Sequence, residues 1–434
     1  MNRFVGIEEK PPFPSLILLG IQHVLALFSG LVAVPLIVGM ALGLPSPDIT
    51  ILVQGSLLTS GAGTLIQCLG LGRLGARLPI CMGSAFVFIA PSITVGSQLG
   101  IQAVFGASII CGILAYILSF FIGRVQKLIP PIVTGTIVAL IGLGLLPLGF
   151  TWLAGGESSF YGKPVSFVVG GLVLIILLVT SQSKRGLVAS FSVIIAIVAG
   201  YIASAFFGML DLSHVQGSDW VSFPNLLHFG WPTFSYSAIV ILMIAQLTAI
   251  LESIGNTYGT GAAAQKEITP KHLSGAISMD GIGSIIAPFF NGFSLTCFAQ
   301  NIGVISITRV ASRYAVAAAG GVLVLLGLIP KFSAIVAGMP APVLGGASMV
   351  MFGSIVSSGV AQIKDSGPFD QRAMMIFSTS LALGLGFGLA PEGAFEYFPS
   401  SLAVLLESGV AIGGFTAILL NRILPPSSSP KVDE

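Results

Sequence analysis

Ser294-Leu-Thr-Cys-Phe-Ala-Gln-Asn-Ile-Gly-Val-Ile-Ser-Ile-Thr-Arg309 is the stretch on which the reading of this chain turns. It lies in a sequence of 434 residues that is 54% hydrophobic and 8% charged, with a mean hydropathy of +1.00. A soluble domain carries about 25% charge, so the chain is that of a polytopic membrane protein. Yet this stretch holds the amide pair Gln300 and Asn301, then Gly303, Thr308 and Arg309. Such a segment cannot face lipid, where each unsatisfied polar group costs several kcal/mol. The apolar run before the amides, Leu295 to Ala299, is too short for an uninterrupted helix. The pattern predicts a short extended piece that turns into a half-helix, with free backbone groups and amides lining a protected cavity, as in transporter sites near the bilayer midplane.

Apolar runs of spanning length occupy 15–42, 49–70, 101–123, 131–149, 165–181 and 186–208. After a polar gap at 209–234 come 235–258, 272–291, 314–337, 342–363, 372–390 and 398–421. Each holds about 20 helical residues, enough for a ~30 Å hydrocarbon core. Two interrupted segments, 79–96 and 294–312, are third in their respective halves. Counting both gives fourteen spans. With both termini on one side, every Lys and Arg except Lys163 and Lys331 falls on that side. The set includes Arg3, Lys10, Arg73, Arg77, Arg124, Lys127, Lys184, Arg185, Arg309, Arg313 and Lys431. The acids Asp48, Glu157, Asp211, Asp219, Glu392 and Glu396 fall opposite. The positive-inside rule makes the basic side cytoplasmic. The motif Pro131-Ile-Val-Thr-Gly135 with Gly142 recurs as Pro342-Val-Leu-Gly-Gly346 with Gly353, each opening the fifth span of its half. Because seven is odd, the second half is inverted, and the two interrupted segments meet across an in-plane pseudo-two-fold axis.

Several classes are disfavoured. Cys68, Cys81, Cys111 and Cys297 lie in apolar segments, so no disulfide is expected, and their spacing matches no zinc pattern. His23, His214, His228 and His272 are scattered, and no metal or cofactor is expected. There is no nucleophile cluster and no nucleotide-binding loop, which argues against an enzyme and against direct ATP drive. Nothing points to nucleic acid. Residues 1–14 lack the features of a signal peptide.

Polar groups inside the spans are functional candidates by default. Glu252, in Leu251-Glu-Ser-Ile-Gly-Asn256, stands first. Asp280 reads equally as a structural bond to nearby backbone or as a coupling group. Glu407 reads as an interface or helix-packing residue, with a functional role the lesser reading. His23, after Gln22, either orients a site carboxylate or makes a structural hydrogen bond. In the first interrupted segment, Leu78-Pro-Ile-Cys-Met-Gly-Ser-Ala-Phe86, Pro79 and Gly83 break the helix and Phe86 offers either a ring face or core packing. Carboxylate, amide, aromatic ring and free backbone suit a flat heterocycle that stacks and donates N–H groups. No Arg or Lys occupies a span centre to balance a strongly anionic substrate.

These residues resemble a known family. Gln300-Asn-Ile-Gly-Val-Ile-Ser-Ile-Thr-Arg309 is similar to the signature of the nucleobase–ascorbate transporters, also called the nucleobase:cation symporter-2 or xanthine/uracil permease family. Gln22-His23, Glu252-Ser-Ile-Gly-Asn256 and Gly83-Ser-Ala-Phe86 share the likeness, which runs over essentially the whole chain. The resemblance implies an all-α fold of fourteen spans in two inverted repeats of seven, with short extended pieces in the third and tenth. It implies a core domain (1–124 and 235–338), a gate domain (125–208 and 339–434) that forms a homodimer, and an extracellular connection at 209–234. By motif, Glu252 and Gln300 hold the base, Phe86 stacks on it, and backbone at Ala85 and Ala299 adds hydrogen bonds. Asp280, Asn301, His23, Asn256 and Thr308 support or couple. The implied function is proton-coupled import of a purine base such as xanthine or uric acid across the inner (plasma) membrane, with lipid around the multi-pass chain. The uracil branch usually has Glu at position 300 and His at position 256, and this chain has neither. Ile302 stands where Asn is frequent. A uracil permease and a same-fold anion transporter are the alternatives.

Overall fold

The structure, a computed structural model, describes residues 4–122, 130–156, 158–183, 188–189, 191–210, 213–365, 368–391 and 393–425. Arg3, Arg124, Lys127, Lys184, Arg185, Lys431, Glu157, Asp211 and Glu392 lie outside the described residues. The first half contains α1 (Phe13–Ala41), α2 (Ser46–Leu69), β1 (Met82–Ser84), a 3-10 turn (Phe86–Phe88), α3 (Ile89–Leu99), α4 (Ile101–Ser119), α5 (Pro131–Leu153), α6 (Pro164–Ser181) and α7 (Ser192–Phe206). The second contains α8 (Tyr236–Ala263), α9 (Pro270–Ile286), β2 (Leu295–Cys297), α10 (Gln300–Thr308), α11 (Arg313–Gly327), α12 (Pro330–Ala337), α13 (Ala341–Asp365), α14 (Gln371–Gly388), α15 (Ser400–Glu407) and α16 (Gly409–Ile423). Among the described residues, eight helices are long and apolar enough to cross a membrane, or nine if α11 and α12 form one span.

The extended pieces predicted in the two interrupted segments are β1 and β2, paired antiparallel with Met82 opposite Cys297, Gly83 opposite Thr296 and Ser84 opposite Leu295. All six residues are buried. Backbone at such depth must be satisfied by protein, and hydroxyls from flanking helices do part of this. Thr64 Oγ1 of α2 accepts from Met82 N at 2.9 Å, and Ser284 Oγ of α9 accepts from Leu295 N at 3.0 Å. Gly83 is obligatory here, because a Cβ would stand 2.2 Å from Leu31 Cδ2. Beyond the strands the chain enters the 3-10 turn and α3 on one side and α10 on the other. The opening residues of both lack side-chain caps.

Small residues let the helices approach closely, as is general for membrane bundles. α2 lies along α11 with Gly61 against Gly320 and Val324, and α9 lies along α4 with Gly281 against Gly112 and Tyr116. α5 and α13 pair through Gly135 against Gly359 and Gly142 against Val356. The repeated glycines are not used alike: Gly346 meets Gly170 of α6, whereas Gly353 meets nothing within 4 Å.

Two predicted spans are broken. The run 314–337 bends by 83° between α11 and α12. Pro330 at the start of α12 lacks the N–H that would continue the helix and clashes with the preceding turn. The run 398–421 breaks at Ser408, whose hydroxyl accepts from Ala411 N and starts α16 afresh. The connection between the halves is stitched across one end of the bundle: Ser222 N donates to Leu328 O, Leu227 N to Phe289 O and Thr233 N to Gln102 O. His228 meets Asp48 there at 2.9 Å. At the opposite end Val5 N donates to Arg309 O and Arg313 pairs with Glu8 at 2.8 Å.

Candidate functional site

A cavity of about 430 Å³ opens beside the paired strands. One wall is made of Phe86 and Val87 from the 3-10 turn, Glu252 from α8, Ala299 and Gln300 at the head of α10, and Ala26 and Gly30 from α1. The facing wall is Val138 and Ile141 of α5, Ala189 and Val193 near the start of α7, and Met351, Ser354, Ile355, Ser358 and Gln362 of α13. Four residues predicted from distant parts of the chain, Phe86, Glu252, Ala299 and Gln300, thus share one space.

The local sequence explains how each is held. Strand β2 runs straight into α10, so the helix opens at Gln300 with the preceding Ala299 exposed to the cavity. Gly30 leaves room for the amide, since a Cβ there would lie 3.4 Å from Gln300 Nε2 and 3.1 Å from the Phe298 ring. Glu252 carries no hydrogen bond or ion pair among the described residues, and no Lys, Arg or His is among the lining residues. The cavity therefore offers an unengaged carboxylate, an amide, an aromatic ring and the uncapped head of a helix. It has no cation.

Behind the wall the other predicted residues have different tasks. Asp280 is fully buried; it accepts from Ser253 Oγ at 2.5 Å and from Cys297 Sγ at 3.5 Å. Its partners are side chains rather than the backbone of the structural reading. Ser253 also contacts Thr296 Oγ1 at 2.6 Å and accepts from Cys297 N. Asn256 Nδ2 donates to Cys297 O at 2.8 Å. Asn301 Nδ2 donates to Pro79 O at 2.6 Å, tying α10 to the first interrupted segment. Asp280, Asn256 and Asn301 thus pin β2 and its neighbours and do not line the cavity. Ala85 is buried as well; its carbonyl accepts from Phe88 N within the turn. Thr308 closes the far end of α10, donating to Val304 O and accepting from Val310 N. His23 is buried with Nδ1 unpartnered among the described residues, and no bond joins it to Glu252.

Gly30 and the α13 face were not anticipated. Ser354, Ser358 and Gln362 stand four residues apart on one helix face. That polar stripe in an apolar run is a signal the sequence does carry. Glu407, read as an interface or helix-packing residue, is half-buried at the end of α15 and lines a second cavity.

A family model described as Permease family (Xan_ur_permease) matches residues 14–393. The chain belongs to this permease family. It is a multi-pass membrane transporter and not an enzyme. It is 38% identical over 409 residues to the uric acid permease PucJ of Bacillus subtilis, covering 93% of this chain and 91% of that protein. It is 34% identical to the uric acid transporter UacT of Escherichia coli, covering 94% and 85%. The xanthine permease of Bacillus subtilis is 33% identical, with 95% and 94% covered. Among solved structures, the transmembrane domain of a cyanobacterial bicarbonate transporter, BicA, superposes with a TM-score of 0.65 at 13% identity, covering 96% of this chain and 99% of that one. Murine Slc26a9 in an inward-facing state gives a TM-score of 0.60 at 13% identity, covering 96% and 69%. At that identity these two speak to the fold of the permease and to nothing more.

Proposed function

We propose that this permease imports a purine base such as uric acid or xanthine by proton symport across the plasma membrane, through alternating access. The observation that carries the reading is the single cavity in which Phe86, Glu252, Ala299 and Gln300 meet. A purine dione offers adjacent N–H donors and carbonyl acceptors. Glu252 accepts from the N–H groups, the Gln300 amide donates to a carbonyl and accepts from a ring N–H, Phe86 covers the ring, and the head of α10 at Ala299 directs N–H groups at a carbonyl. Glu252 is also the group on the wall able to take up a proton, so substrate and coupling ion meet at one atom pair. Asp280, Asn256 and Asn301 hold the second strand and the head of α10 in register with the first, and His23 and Thr308 support α1 and the end of α10. Relatives named as uric acid and xanthine permeases support the purine assignment. The absence of any cation among the lining residues disfavours the anion-transport alternative that the structural neighbours bring to mind. Glutamine at position 300 and asparagine at position 256 disfavour a uracil permease.

The proposal includes fourteen spans in two inverted repeats. Its support is pairwise: Thr64 and Ser284 accept from corresponding strand amides, and the α2–α11 contact at Gly61 and Gly320 has its like in the α9–α4 contact at Gly281 and Gly112. The core would be 1–124 and 235–338, the gate 125–208 and 339–434, with dimerisation through the gate, both termini cytoplasmic and 209–234 outside. Accumulation of labelled uric acid or xanthine in cells is expected to collapse with a protonophore. Accumulation that ignores the protonophore and follows an imposed sodium gradient overturns proton coupling.

A further inference from the structure

A second chamber shares a helix, α5, with the first. It has two lobes of about 380 and 430 Å³ that share Ile93, Thr94, Gly388 and Glu407. Both chambers use α5: Val138 and Ile141 line the first, Leu140, Gly144 and Leu145 the second. The second is walled by α3, α5, α14, α15 and α16, with Ser97, Gln98, Pro391 and Gly393 at its rim.

Glu407 is the last residue of α15, just before the break, and is half-buried. It has no hydrogen bond or ion pair among the described residues. The chamber gives this unpaired carboxylate room and access to water, which lowers the cost of holding it within the bundle. The same lobe is lined by Gln98, Thr94, Phe387 and Phe395. Phe387 and Phe395 are stacked, with centroids 5.6 Å apart and planes 13° apart. The Thr94 hydroxyl donates to Ala90 O, which leaves its oxygen to accept. Carboxylate, side-chain amide and aromatic ring are the three groups that line the first cavity, assembled a second time from different helices.

We infer that this chamber is a second subsite for the transported heterocycle. Glu407 accepts from its ring N–H groups, Gln98 gives and receives a hydrogen bond, and Phe387 covers the ring. The inference rests on the reading that the substrate is a nucleobase.

Ser97→Cys puts a thiol on the wall of this lobe in a chain whose four native cysteines are buried. Its labelling by a membrane-impermeant methanethiosulfonate is followed on whole cells with and without unlabelled uric acid or xanthine. The base is expected to slow labelling about fivefold or more. The protection should persist with Glu252→Gln, which disables the first cavity, and disappear with Glu407→Gln or Gln98→Ala. Protection that is lost with Glu252→Gln, or that survives both Glu407→Gln and Gln98→Ala, overturns the subsite. Uptake of each labelled base by the Ser97→Cys protein is measured alongside. Uptake without protection sinks the subsite alone, whereas no uptake of either base sinks the substrate reading on which it stands. Gln98→Ala, at an exposed position, carries the test if Glu407→Gln fails to reach the membrane.

Discussion

The two interrupted segments share a backbone plan but not a chemistry. Each contains a three-residue strand with an amide held by a hydroxyl of the helix before it, Thr64 in one case and Ser284 in the other. Each then opens a helical turn at the cavity. From the first half, however, the cavity receives a ring and a bare backbone, Phe86 and Gly30. From the second it receives the polar groups, Glu252 and Gln300. Duplicated scaffolding is thus compatible with a one-sided site. On the proposed function, the first half would shape and cover, and the second would read donors and acceptors and handle the proton.

The largest effect that tests this division is at Glu252. Glu252→Gln keeps the shape while removing both the acceptor and the titratable group, and uptake should fall to background with the protein still present at the cell surface. Uptake near the wild-type level would remove Glu252 from the mechanism. Gln300→Glu replaces an amide donor with an acceptor. Mismatching a buried polar group costs about 1–3 kcal/mol, so base affinity should weaken roughly 5- to 150-fold, and the order of preference among bases should shift. Phe86→Ala removes only a stacking face, worth about 0.5–1.5 kcal/mol beyond the area buried. The affinity should fall some two- to twelvefold with the order of preference retained. A changed order would mean that the first half reads the base too. Smallest for transport, and sharpest for the scaffold, is the pair Thr64→Ala and Ser284→Ala. Each leaves a buried strand amide without its acceptor, at about 1–3 kcal/mol, and thermal melting in detergent should show similar losses for the two. A loss confined to one would show that the halves do not share their support.

Much of this was legible in the chain. Proline and glycine at 79 and 83, and the short apolar run before Gln300, announced both strands, because together they interrupt the apolar run and an unsatisfied polar pair cannot face lipid. The polar residues deepest in apolar surroundings announced the cavity. What was hidden depends on partners far along the chain. The run 314–337 is apolar throughout, and its bend follows from Pro330 together with Gly327, which lies against Leu58 of α2. Asp280 looked like a site residue because burial of a carboxylate is visible in sequence, while its partners Ser253 and Cys297 are not. Glu407 looked like packing because Ser408, which ends α15, is an ordinary residue in an apolar run. Gly30 could not be singled out among 55 glycines, since its meaning lies in the Gln300 amide that it admits.

The central claim is that the Gln300 amide and the Glu252 carboxylate together read a purine. The measurement that meets it most directly is uptake of labelled xanthine and uric acid, by wild type and by Gln300→Glu, in cells without their own base transporters and against a panel of unlabelled bases and bicarbonate. The account predicts that oxidised purines compete in the wild type, that uracil and bicarbonate do not, and that Gln300→Glu reorders the panel at equal surface expression. A profile left unchanged by Gln300→Glu, or uptake displaced by bicarbonate, would contradict it.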